Sequence, residues 1–83
     1  MENIGTVALI QASTGGFALQ VEDGSYVLAE QLDRHPLVLG QRLSGNMRSI
    51  GVEDWRDVNS DAQISVFTKA YDCSFDAVQY ALS

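Results

Sequence analysis

The sequence predicts an all-β protein: a small barrel of five strands with a short C-terminal helix. Three observations carry this reading. Aliphatic and β-branched runs alternate with short segments bearing Gly, Asn or Asp, two of those runs flank an Asp-Gly pair at Asp23-Gly24, and only the segment after Asp72 changes to helical spacing.

The first strand is read in "IGTVALIQA", Ile4 to Ala12, and ends at the turn signal "STGG". The second runs from Gly16 to Glu22 and the third from Ser25 to Gln31. Asp-Gly between apolar runs favours a two-residue type I′ turn, in which both central residues need positive φ. That turn would set Val21 opposite Tyr26, Leu19 opposite Leu28 and Phe17 opposite Glu30. Because side chains alternate across a strand, Phe17, Leu19, Val21, Tyr26 and Leu28 would share the core face, with Ala18, Gln20, Val27 and Ala29 on the other.

From Leu32 to Gly40 the chain holds its single proline, Pro36. Proline pushes the preceding residue, His35, toward extended geometry, so a loop is expected here and not a helix. Gln41 to Ser49 alternates, with Leu43, Gly45 and Met47 on one side and Arg42, Ser44, Asn46 and Arg48 on the other. This predicts a half-exposed fourth strand, bent or bulged at Gly45. Ile50 to Gln63 is polar and turn-rich and reads as an irregular connection that places Trp55 in a loop. Ile64 to Tyr71 is the fifth strand. A helix is expected over about 74–82, where Phe75, Val78, Ala81 and Leu82 share one side. Asp72 or Ser74 can cap it, and a helix this short must dock on the barrel to be stable.

At 83 residues, 46% hydrophobic and 19% charged, residues 1–83 are expected to form one domain and are too apolar for a disordered tail. No apolar run approaches the roughly 18 residues that cross a bilayer, and Met1-Glu2-Asn3 lacks the basic start of a secretory signal. No membrane association is expected, and the cytoplasm is the expected location. Cys73 is the only cysteine, which excludes an intramolecular disulfide and a cysteine-based zinc site. Eleven acidic against five basic side chains give a net charge of −6, the wrong sign for long-range attraction to phosphate backbones.

The order of signals from Gly5 to about Asn59, "GTVALIQ", then "GGFALQVEDGSYVLAEQL", then "LVLGQRLSGNM", resembles the OB-fold, a five-stranded, partly open barrel. It is similar to RNA-binding OB modules of the cold-shock and ribosomal-protein type. In those, a second strand with glycine and an aromatic residue and a hairpin precede a glycine-bearing fourth strand; Gln41 stands here where an acidic residue often does. An SH3-like barrel is the alternative. The resemblance implies that Phe17 and Tyr26 match the aromatics on which bases stack, although their position on the expected core face favours packing.

Arg42 and Arg48, on the polar face of the fourth strand, have a spacing that suits a phosphate backbone, and Arg34 and His35 would extend the patch. The same arginines also suit a solvated strand face paired with the surplus acids. "EDWRD", Glu53 to Asp57, offers Trp55 and Arg56 as interface anchors, residue types enriched among binding hot spots; Trp55 reads equally as a plug for one end of the barrel. His35 is the only histidine and Cys73 stands near the expected helix start, where the helix dipole would lower a thiol pKa. Neither has a catalytic partner legible in the sequence, and no calcium-binding or phosphate-binding loop motif occurs. No metal or cofactor is expected. The expected function is that of a non-catalytic module binding a protein partner through Trp55 and Arg56. Single-stranded nucleic-acid binding through Phe17, Tyr26, Arg42 and Arg48 is the alternative, and a thiol-based enzymatic or small-molecule role for Cys73 and His35 is a third.

Overall fold

In the computed structural model, which describes residues 2–83, six antiparallel strands close into a barrel. They are β1 (Asn3–Gln11), β2 (Gly16–Val21), β3 (Tyr26–Gln31), β4 (Arg42–Gly45), β5 (Gly51–Asp57) and β6 (Gln63–Cys73), followed by the helix α1 (Phe75–Ala81). The order around the wall is β1-β2-β3-β6-β5-β4, with β4 returning to pair with β1. Two hairpins followed by a long connection that brings the fourth strand back beside the first is a Greek-key path.

The count of six corrects the expected five. The additional strand is β5, in the stretch read as an irregular connection. Its Asp, Glu and Arg residues are poor strand formers by propensity, yet every residue from Gly51 to Arg56 pairs with β6. Its exposed positions, Val52, Asp54 and Arg56, alternate with Glu53, Trp55 and Asp57 on the inward side, so two of its four charged residues face solvent and Asp57 is buried. β4 is shorter than expected and ends at Gly45, although burial still alternates through Leu43, Gly45 and Met47.

The β2–β3 hairpin corrects the expected register by one residue. Leu19 pairs with Val27 and Phe17 with Ala29. The turn is a three-residue loop in which the Val21 N–H donates to Ser25 O (2.9 Å) and the Gly24 N–H to Val21 O (3.0 Å). Gly24 has φ 89°, whereas Asp23 is not among the residues with positive φ. This is the arrangement of a type I turn followed by a left-handed glycine, not type I′. Asp23 instead uses its carboxylate to accept from the Ser25 N–H (2.9 Å) and hydroxyl (2.6 Å). A one-residue slip exchanges the two faces of a strand, so Val27 and Ala29 enter the core while Tyr26 and Leu28 turn outward and are half-buried.

The interior packs Val7, Phe17, Leu19, Leu43, Met47 and Ile64 around Trp55, which is 0% exposed. The indole meets Phe17 edge-on at 6.1 Å and donates from Nε1 to the Asn46 carbonyl (2.9 Å). Gly45 makes room for it, because a Cβ there would lie 2.5 Å from Trp55 Cδ1. One hydroxyl within this interior, Thr68 Oγ1, is buried without a partner.

The helix runs along the outer wall. Ser74 caps it, accepting from the Ala77 N–H (3.1 Å). Phe75 lies against Tyr26 with ring centroids 5.4 Å apart, and Leu82 packs over Gly16, leaving no room for a Cβ there. Val78, between them, is fully buried, as is Ala18, although Ala18 alternates with the inward-facing Phe17 and Leu19. Gly16 of β2 and Tyr26 of β3 thus form part of the seat for α1.

Candidate interaction surface at the loop end of the barrel

Because neighbouring strands are antiparallel, the β1–β2 turn, the β3–β4 connection and the β5–β6 turn all emerge at one end. The connection from Leu32 to Gln41 forms no helix, as Pro36 predicted, and Leu37 packs from it against the core. Its next two residues do the opposite: Val38 is 61% and Leu39 65% exposed.

Hydrogen bonds hold this apolar tip in place. The Gln41 N–H donates to Val38 O (3.2 Å) across a turn whose third residue, Gly40, has φ 86°, a position that favours glycine. The Gly40 N–H donates to Val7 O (2.9 Å), and the Val38 N–H to Gln41 Oε1 (3.1 Å). Gln41 Nε2 in turn donates to Asp57 Oδ2 (2.5 Å) at the end of β5. The second oxygen of Asp57 accepts the Asn59 N–H (2.7 Å) and the Ser60 N–H (3.0 Å). The donors Ser60, Gln41 and Asn59 hold the Asp57 carboxyl below the usual carboxylate range. A buried carboxylate therefore ties the β3–β4 connection to the β5–β6 turn. Beside the tip, an open depression of about 420 Å³ is bordered by Pro36, Val38, Leu39, Asn59 and Ser60.

Neither the tip nor Asp57 stood out in the sequence. The signal for Asp57 was "DVNSD", since Asp commonly accepts from N–H groups two or three residues ahead in turns. The signal for the tip was "PLVLG", aliphatics confined between a proline and a glycine in a stretch too short for a strand.

The expected site residues are dispersed. Trp55 lies inside the barrel as part of β5, not in a loop, so its indole is inaccessible to a partner; Arg56 is exposed and paired with Asp61 (3.2 Å). Phe17 is buried within the barrel, and Tyr26 lies on the outer wall beside Phe75. Arg48 is at the opposite end, bridging Asp23 (2.6 Å) and Asp72 (2.7 Å), which hold its charge locally. Arg42 borders a separate depression with Ile4, Thr6 and Glu22. These four residues form no common surface on which a nucleic-acid strand would stack and track.

Cys73 ends β6, one residue before the helix cap Ser74; burial and the neighbouring Asp72 push its thiol pKa up. That is the direction away from a reactive thiolate. His35 lies in the connection at the loop end and Cys73 at the far end, so the two do not meet. Among the described residues, no three His, Cys, Asp or Glu side chains cluster as metal ligands, and no helix is long and apolar enough to cross a membrane.

A second exposed apolar surface is the cross-strand pair Val52 and Phe67 on the outer wall. It lies on the barrel wall beside the Glu30–Lys69 ion pair (3.2 Å). No family model, curated protein or solved structure matches the chain.

Proposed function

We propose that the chain is a non-catalytic interaction module, an OB-like Greek-key barrel with a sixth strand in its wall, and that it binds a protein partner through the tip formed by Val38 and Leu39. The observation that carries the reading is the conjunction of exposure and order at that tip. Two adjacent aliphatic side chains face solvent on a backbone pinned by Val7, Gln41 and Asp57. Leaving apolar surface in water is unfavourable, and covering it in a complex recovers that free energy. A backbone already held in one conformation loses less entropy on binding than a mobile loop would.

The test is photo-cross-linking from position 39 in extracts of the source cells, with Val38→Ser and Tyr80→Ser as comparison variants. Tyr80 is 84% exposed on α1, remote from the tip in sequence and element. Adducts that vanish when Val38 is changed to Ser and persist with Tyr80→Ser support a partner at the tip. Adducts indifferent to Val38, or dependent on Tyr80, would refute it.

A further inference from the structure

A smaller cavity lies on the other side of Pro36, between the β1–β2 turn and the β3–β4 connection. It measures about 210 Å³ and is lined by Ile10, Gln11, Gly15, Arg34, His35 and Leu37, among others. Since a single water needs only about 10–15 Å³ of such space, the cavity has room for a small organic molecule.

The chemistry of the lining is asymmetric. Ile10 and Leu37 supply aliphatic surface, while Gln11, Arg34 and His35 supply N–H donors; no carboxylate borders the cavity. The nearest acid in sequence, Asp33, is committed elsewhere. Its Oδ1 accepts from Gln31 Nε2 (2.8 Å) and the His35 N–H (3.1 Å), and its Oδ2 from the Ser65 N–H on β6 (2.9 Å). Burial would raise this carboxyl, but these donors outweigh it and hold it below the usual carboxylate range. Arg48, Arg56 and Lys69 all make ion pairs, whereas among the described residues Arg34 and Arg42 make none, and of these two only Arg42 shares its depression with a carboxylate, that of Glu22. In a chain with eleven acids and five bases, an exposed guanidinium without a carboxylate partner, beside a cavity with one aliphatic wall, is placed to pair with an anion.

We propose that this cavity binds a carboxylate carrying a short aliphatic tail. The Arg34 guanidinium offers the parallel N–H pair that matches a carboxylate's two oxygens. Ile10 and Leu37 cover the tail, and Gln11 and His35 supply further donors. The carboxylate is either a free short-chain acid or the C-terminus of a peptide ending in an aliphatic residue. This site is separate from the Val38–Leu39 tip and stands or falls independently of it.

The test is a titration of the ¹⁵N-labelled full chain, followed by amide shifts, with isovalerate, its neutral isostere isovaleramide, and a short peptide ending in leucine with either a free or an amidated C-terminus. Isovalerate is expected to shift Ile10, Gly15, Arg34 and His35. Replacing it by isovaleramide, or Arg34 by Gln, is expected to weaken binding about tenfold or more, as loss of a charge-assisted hydrogen bond does. Leu39→Ser should leave the shifts unchanged. Tighter binding of the free-ended peptide than of isovalerate assigns the site to a chain terminus, and the reverse order assigns it to a free acid. Equal shifts with isovaleramide, shifts retained in Arg34→Gln, or no response to any carboxylate would overturn the proposal. Arg34 is exposed, so its variant is expected to fold, and an otherwise unchanged spectrum verifies this.

Discussion

Gly45→Ala tests the packing of the core most directly. The added methyl would meet Trp55 Cδ1 at 2.5 Å and Cγ at 3.2 Å, where carbon atoms prefer about 3.5 to 4.0 Å. Relief requires the indole to move by about 1 Å. It is held on one side by Phe17 and at its nitrogen by Asn46 O. Overpacking of this kind costs about 1–3 kcal/mol, and a broken indole hydrogen bond adds about 1 kcal/mol. Gly45 also has φ 154°, which a side chain tolerates poorly. The expected loss is therefore about 2–4 kcal/mol, which lowers Tm by roughly 10–25 °C in a domain of this size. Urea and thermal unfolding read it out. Repeating the substitution with Trp55→Leu separates the causes, since a smaller side chain should remove most of the penalty if the indole is responsible. A loss below about 1 kcal/mol in the native background would refute the clash. An undiminished loss with Trp55→Leu would assign the penalty to the backbone.

Three further outcomes follow from particular residues. Thr68→Val keeps the shape of the side chain and removes a buried hydroxyl without a partner, so it should raise stability by about 1 kcal/mol in urea unfolding. Val78→Ala removes two methyl groups buried between helix and wall; it should cost about 1–2 kcal/mol and speed hydrogen exchange of the α1 amides more than those of β5. Asp23, Asp33 and Asp57 all have depressed carboxyl pKa values in the folded state. Because the unfolded chain binds protons first on acidification, their contribution is fully present above about pH 4 and is lost as pH falls through the lower folded values. Asp57→Asn should shallow that acid limb in pH-dependent unfolding, and an unchanged limb would show that Asp57 contributes nothing to it.

Local chemistry was enough to locate the hairpin but not to register it. Asp-Gly fits both a two-residue turn and a three-residue turn with glycine in the left-handed position, and the choice rests on longer-range pairing. Seating Val27 and Ala29 inside requires β3 to match β6 as well as β2, with Ala29 opposite Thr68. Satisfying both neighbours sends Tyr26 and Leu28 outward, where α1 half-covers them. Gly16 illustrates the same dependence, since the space beside it is filled by Leu82, far along the chain.

Trp55 was misplaced for a related reason. Acidic neighbours lower strand propensity, and only pairing with β6 makes their alternation visible as an outside face and an inside face. Arg48 shows the electrostatic counterpart: its composition suited a phosphate, but folding brings Asp23 and Asp72 to it from distant parts of the chain.

By itself, the sequence determined a β-rich chain with its turns at glycine and aspartate, an extended connection at Pro36, the alternating burial of Leu43, Gly45 and Met47, and a capped terminal helix, because these follow from short-range sterics and hydrogen bonding. Only the tertiary structure decided the sixth strand, the hairpin register, the interior place of Trp55 and the exposure of Val38 and Leu39, because those depend on which surfaces meet when the barrel closes.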